Sequence, residues 1–194
     1  MRTKGEPHAP YWITSDGGPI VAVPESLLLL WKGADPRPDG VSDYERACHV
    51  SGFIGLVPVL GSVPAQSCVS FWGDPVPVTW LQCEANDGAV VRCVAATDYA
   101  TAYRFAEEIL RSDGPRVGDE DLKVYSIGGL WALFDAAYSG KEAAQADYVE
   151  MLEFWLTRGV YVVSTSRHVT TEAELVLHRF THQPRMQASD ETSA

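Results

Sequence analysis

The chain is short of positive charge, of long apolar runs and of familiar catalytic signatures, and each shortage excludes a class of function. Lysine and arginine number 15 against 26 aspartates and glutamates, a net charge of −11. Such a field repels phosphate backbones and attracts basic partners, so direct nucleic-acid binding is not expected. The longest aliphatic block, "SLLLLW", falls far short of the ~20 apolar residues that a membrane span needs. The opening "MRTKGEPHAP" lacks the apolar core of a secretory signal, and a cytoplasmic location is expected. The four cysteines, Cys48, Cys68, Cys83 and Cys93, stand 20, 15 and 10 residues apart with no CxxC pair. That spacing matches neither a zinc motif nor a dense disulfide frame, and buried free thiols are expected. Absent too are the GxSxG elbow, the phosphate-cradling Gly-rich loop, HExxH and GxGxxG. No cofactor and no metal site are therefore expected.

What the chain does have is core-forming material: 46% of its 194 residues are hydrophobic and six are tryptophan. At this length one packed domain is expected, over 10–182, with polar, flexible ends at 1–9 and 184–194. The pattern predicts an α+β fold with a mainly antiparallel sheet. "YWITSDGGPIVAVP" and "KVYSIGGLWALFDAAYSG" each read as a hairpin turned at Gly-Gly, an echo at an offset of 111 residues. Pro24 suits the first position of a short helix over the leucines that follow. Ser42 with Glu45 forms a capping box that starts another short helix over "DYERACH". "TDYATAYRFAEEILRSDG" predicts one long helix, about 98–112, capped by Thr97 or Asp98, with Ala102, Phe105, Ala106, Ile109 and Leu110 on one face. Strands are expected at "SCVSFW", "VTWLQC", "YVEMLEFW" and "GVYVVSTSRHV", although Tyr148 to Trp155 also fits a helix by its period. Those at 53–60, 89–96 and 173–180 are expected to be mostly buried. A two-residue Asp87-Gly88 turn would put Cys83 and Cys93 on opposite faces of neighbouring strands.

Candidate functional residues are few. Asp43 and Arg46 stand at i, i+3, where opposite charges meet. They form either a solvated cap-level pair or, with Tyr44, a device that fixes the loop "GADPRPDG" and presents Asp35 and Asp39 to a partner. Asp74 lies in the Pro-stiffened "FWGDPVPVTW", between Trp72 and Trp80, which are either core residues or a binding hot spot. Asp135 closes an apolar strand, where it caps the next turn or lines a cleft with Asp43 and Asp74. Cys48 and the adjacent His49 point about 100° apart on a helix and make no dyad, so Cys48 is expected in the core beside Val50 and Phe53. His178 and His182 would lie roughly 13 Å apart along a strand, too far for one zinc.

The segments "WITSDGGPIVAVPESLLLLWKG", "DYERACHVSGFIGLVPV", "WGDPVPVTWL", "GGLWALFDAAYSG" and "ELVLHRF", in that order, give a chain that resembles the immunity protein 21 family of bacterial polymorphic toxin systems. The resemblance implies a small α+β protein encoded beside a toxin, binding and blocking that toxin, and it implies no catalytic residues. A basic, nuclease-type toxin would suit the acidic field. The partner surface would then include Asp35, Asp39, Asp43, Tyr44, Arg46 and Asp74. The alternative is a small-molecule enzyme or ligand-binding protein of a biosynthetic gene cluster, built on the same fold, with Asp43, Arg46, Asp74, Asp135 and His178 as its candidates. The oligomeric state is left open.

Overall fold

The computed structural model describes residues 10–62, 66–83, 86–112 and 121–183. The two expected flexible ends lie outside them. The elements in order are β1 (Ile20–Pro24), α1 (Glu25–Leu28), α2 (Asp43–Cys48), β2 (Ile54–Pro58), β3 (Ser67–Phe71) and β4 (Val78–Gln82). There follow β5 (Gly88–Ala96), α3 (Tyr99–Arg111), β6 (Asp121–Asp135), α4 (Gly140–Gln145), β7 (Met151–Val169) and β8 (Ala173–Gln183). All eight strands form one antiparallel sheet in the order β2-β3-β1-β6-β7-β8-β5-β4. The fold is α+β, as the sequence predicts.

The sheet is not flat. Phe71 of β3 and His178 of β8 are four strands apart, roughly 19 Å in a flat sheet, yet their rings lie 5.0 Å apart. Trp80 of β4 stacks on Phe154 of β7 at 4.1 Å, across three strand spacings. The sheet therefore folds over on itself and encloses a core of Ile13, Ile20, Phe71, Val90, Trp131, Leu156, Tyr161 and Phe180, among others. Its outer surface is covered in two places. Trp31, Leu27, Ala47 and Ala143, from α1, α2, α4 and the loop after α1, cover β1 and the end of β6. Ala102, Ala106 and Leu110 of α3 cover β5 and β8. Asp98 caps α3, its carboxylate accepting from Thr101 N at 2.7 Å. At 13 residues the helix is of ordinary length rather than long.

Neither Gly-Gly pair turns a hairpin. The segment before Gly17 bridges to β4 through Ile13 and Val78, whereas β1 pairs with β3 and β6. Gly128 and Gly129, with φ of 87° and 128°, sit inside the continuous 15-residue β6. Their role is visible in which side chains face the core. Leu122 and Val124 point inward before the glycines, and Trp131 and Leu133 after them, an odd number of residues later. β7 changes phase at the same rung, with Phe154 and Leu156 inward on one side and Tyr161 and Val163 on the other. The pairings Val124↔Tyr161 and Trp131↔Phe154 belong to one register. Each strand thus takes up a matching irregularity, and the two bend together around a corner of the folded sheet.

Other expectations are corrected in detail. The two late strand segments are one 19-residue strand, β7. β2 is an edge strand, with Phe53, Leu56 and Leu60 exposed, so 53–60 is only half buried. Pro24 ends β1 and stands at the N-cap of α1 rather than inside it. Gln82 pairs with Gly88, so the β4–β5 connection exceeds two residues, and Cys83 and Cys93 pack on the same, α3-covered side. Cys93 lies opposite Pro77 and Cys83 opposite Asp87, a separation of roughly 20 Å along the strands. Cys48, Cys68 and Cys93 are free thiols.

Candidate functional site

The loop between α1 and α2 carries most of the predicted partner residues, and its shape is fixed from beneath. Trp31 is fully buried and its indole N–H donates to Ala136 O at 3.2 Å. Gly33 has φ of 60°, and a Cβ there would lie 2.4 Å from Ala137 O. Only glycine meets both demands. Ala34 N donates to Ala137 O and Tyr44 N to Gly33 O, at 2.9 and 3.0 Å. Pro36 and Ser42 then bridge across the loop, so it closes on itself.

Asp43 is the hub of this loop. Its side chain is fully buried, and it accepts from Lys32 N at 2.8 Å and from Arg37 Nε at 3.0 Å. The Arg37 terminal nitrogen also pairs with it and donates to Leu30 O. Arg46 lies 3.6 Å from Asp43, pairs with Asp39 and donates to Val41 O at 2.7 Å. The Arg46 guanidinium and the Val41 N–H hold the Asp39 carboxyl below its usual range. The Asp43–Arg46 pair is not solvated, and through Asp39 and Val41 O the same arginine ties down the loop. Arg37, absent from the residues expected at the site, is the closer partner. It lies six residues before Asp43 in a Pro-flanked loop, where no periodic spacing marks it. Asp35 and Asp39 are exposed on the loop, and Glu45 is exposed beside it. The capping box is present in full, with Ser42 Oγ accepting from Glu45 N and Glu45 Oε2 from Ser42 N.

Behind this loop stands Tyr44. Its ring fills the space over Gly18, where a Cβ would lie 2.6 Å from it. Its hydroxyl is hydrogen-bonded to the Cys48 thiol, which raises the tyrosine pKa. Burial, with the nearby Asp135 charge, pushes the Cys48 thiol up against the opposing effect of that hydrogen bond. A raised pKa keeps the sulfur protonated and unreactive at neutral pH. Cys48 is half-buried, not in the core, and Phe53 is exposed rather than packed on it. His49 turns its Nδ1 to Glu45 O, 2.6 Å away. Asp135 is buried and accepts from Ala137 N and Asp16 N, each at 2.8 Å. It braces a turn rather than lining a cleft.

Asp74 lies elsewhere, exposed between β3 and β4. Its loop is held by Arg92, a buried arginine of β5 that sequence reasoning missed. Arg92 donates to Trp72 O at 2.6 Å and Asp74 O at 2.7 Å, and burial lowers its pKa. Trp80 packs on the core, whereas Trp72 is partly exposed. His178 is fully buried, with Nδ1 2.9 Å from Thr165 Oγ1 and Nε2 without a hydrogen bond. Burial first, and Arg92 second, lower its pKa to about 3. His182 is only half-buried and leans on Tyr161. Among the described residues no group of three His, Cys, Asp or Glu is placed to hold a metal ion.

The structure therefore brings Asp39, Asp43 and Arg46 together, with Asp35 on the same loop; the Tyr44 side chain faces Gly18 and Cys48 near Asp135, and Asp74 and His178 lie elsewhere. Among the described residues, surface hollows of about 610, 390 and 320 Å³ open between elements. Of the enzyme candidates only Arg46 lines one of these, the largest. Among the described residues these candidates form no paired acid and base, and their organised part is an acid-bearing loop held by the buried Asp43. No helix among the described residues is long and apolar enough to cross a membrane. No curated protein and no solved structure gives a significant match to the chain. The model of one family, immunity protein 21, matches residues 11–174, from before β1 to the start of β8. The chain belongs to the immunity protein 21 family.

Proposed function

We propose that this protein neutralises a toxin encoded beside it, by binding the toxin domain in the cytoplasm and covering its working surface. The observation that carries this reading is the loop from Gly33 to Ser42, locked by the buried Asp43 and presenting its acids in a fixed shape. A preordered acidic loop loses little conformational entropy on binding and meets a basic surface without rearrangement. The net charge of −11 adds long-range attraction for such a surface. A nuclease-type toxin, basic where it grips nucleic acid, is the partner class this favours. Asp35, Asp39 and Asp74 serve as rim contacts, while Asp43, Tyr44 and Arg46 hold the surface in place. The test is binding of the purified toxin domain from the neighbouring gene, with protection of cells expressing that toxin. Nanomolar binding and rescue support the reading, and no binding at micromolar protein overturns it.

A further inference from the structure

The two edges of the sheet differ in a way that points to how the partner is held. At β4 the backbone of Val78 is already occupied, donating to and accepting from Ile13 at 2.8 and 2.9 Å. At β2 nothing among the described residues pairs with the outer flank. Phe53 O accepts from Trp72 N at 2.9 Å, which sets the phase of the β2–β3 ladder. Gly55 and Val57 therefore exchange hydrogen bonds with β3, while Ile54 and Leu56 turn their N–H and C=O groups outward. Pro58 has no N–H to offer there. Three large apolar side chains are exposed along this short stretch: Phe53 at 58%, Leu56 at 41% and Leu60 at 43%. An open edge with exposed apolar side chains is a template for another strand.

A hollow of about 610 Å³ runs beside this edge. One wall is the end of α2 with Arg46, His49 and Val50, and the other is the start of β6 with Asp121 and Leu122. We propose that an extended, basic segment of the partner toxin lies in this hollow and adds to β2 as a ninth strand. This rests on the immunity reading above. The backbone groups of Ile54 and Leu56 select an extended chain, because only a strand presents N–H and C=O at the matching spacing. The charges select a basic one: Arg46 in one wall is already met by Asp39 and Asp43, whereas Asp121 in the opposite wall forms no ion pair among the described residues. A second copy of this chain, at −11, is repelled from the same place.

The test uses the full chain and the purified toxin domain. Hydrogen exchange should slow at the Ile54 and Leu56 amides in the complex and not at Val57, which is already bonded. Leu56→Pro removes an outward N–H and no β2–β3 hydrogen bond, a change that edge strands tolerate. It should keep its melting temperature within a few degrees and bind the toxin at least tenfold more weakly. If Leu56→Pro fails to fold, Leu56→Lys reads the same site through its exposed side chain and should also lose tenfold. Undiminished binding by a folded variant, with both amides unprotected, overturns the proposal and leaves the immunity reading standing. Absence of binding by the unmodified chain overturns both. A dimer of the chain alone that Leu56→Pro dissolves would assign the edge to a second copy and overturn the toxin assignment.

Discussion

Asp43 and Arg37 meet where solvent does not reach: the carboxylate is wholly buried and the guanidinium nearly so. The pair joins the first turn of α2 to the middle of the loop before it. A buried charge left without its partner is costly, and Asp43 also satisfies Lys32 N. Asp43→Ala should therefore destabilise the fold by about 3–5 kcal/mol, as losing one member of a buried ion pair does elsewhere. Urea unfolding measures this. A loss below about 1 kcal/mol would mean that the loop is held by its backbone bridges alone.

Cys48 should be chemically quiet. Its thiol is pushed up by burial and by Asp135, so little thiolate exists at neutral pH. Cys48→Ala should change stability by roughly 1–2 kcal/mol, the range for a partly buried deletion, and leave toxin binding intact. Alkylation followed by mass spectrometry should modify the half-buried Cys48 slowly at pH 7 and the fully buried Cys68 only on unfolding. Rapid, selective labelling of Cys48, or loss of binding in the folded alanine variant, would make the thiol functional.

Acid should destabilise the protein through His178. Its folded pKa of about 3 lies below the ordinary histidine value of 6.5, so the unfolded chain takes up a proton that the folded one refuses. The stabilisation is complete above pH 6.5 and is lost as pH falls toward 3. The slope is on the order of 1.4 kcal/mol per pH unit, so moving from pH 6.5 to 5 should cost ~2 kcal/mol. His178→Phe, with Phe71 alongside, should flatten that dependence although it strands the Thr165 hydroxyl. Urea melts at pH 7.5 and 5.0 on both proteins decide it. Equal slopes would show that other groups control acid unfolding.

Binding to a basic toxin should depend on salt through its on-rate. The Debye length falls from ~10 Å at 0.1 M to ~3 Å at 1 M, and rim charges act over that range. Asp35→Lys and Asp74→Lys should slow association several-fold at low salt and leave dissociation nearly unchanged. Asp39→Lys should do more, because it also removes the Arg46 partner. Stopped-flow mixing at two salt concentrations tests this. Salt-independent association would exclude a basic toxin surface.

The capping box at Ser42 and the helix after Asp98 were legible because each rests on local chemistry within a few residues; the sheet is antiparallel as expected, although not through the Gly-Gly hairpins. The meeting of Asp43 with Arg46 was legible for the same reason, from their i, i+3 spacing. Arg37 and Arg92 were not, since their partners are a carboxylate reached around a loop and carbonyls eighteen and twenty residues away. The Gly-Gly pairs misled because glycine marks any positive φ, and a bend within a strand needs it as much as a hairpin does. The edge position of β2 was hidden as well, because "FIGLVPVL" is apolar enough for a central strand and only strand order shows otherwise.

The shared corner of β6 and β7 ties together two stretches of the gene that lie about thirty codons apart. Removing one residue near Gly128 alone would send Val124 and Leu122 to the solvent side while Tyr161 and Val163 stayed inside. A one-residue loss near Gly159 would do the reverse. Descendants of this chain can therefore lengthen or shorten the two strands only in step, and a lone in-frame deletion at either place is expected to be lethal to folding where its compensated double is not.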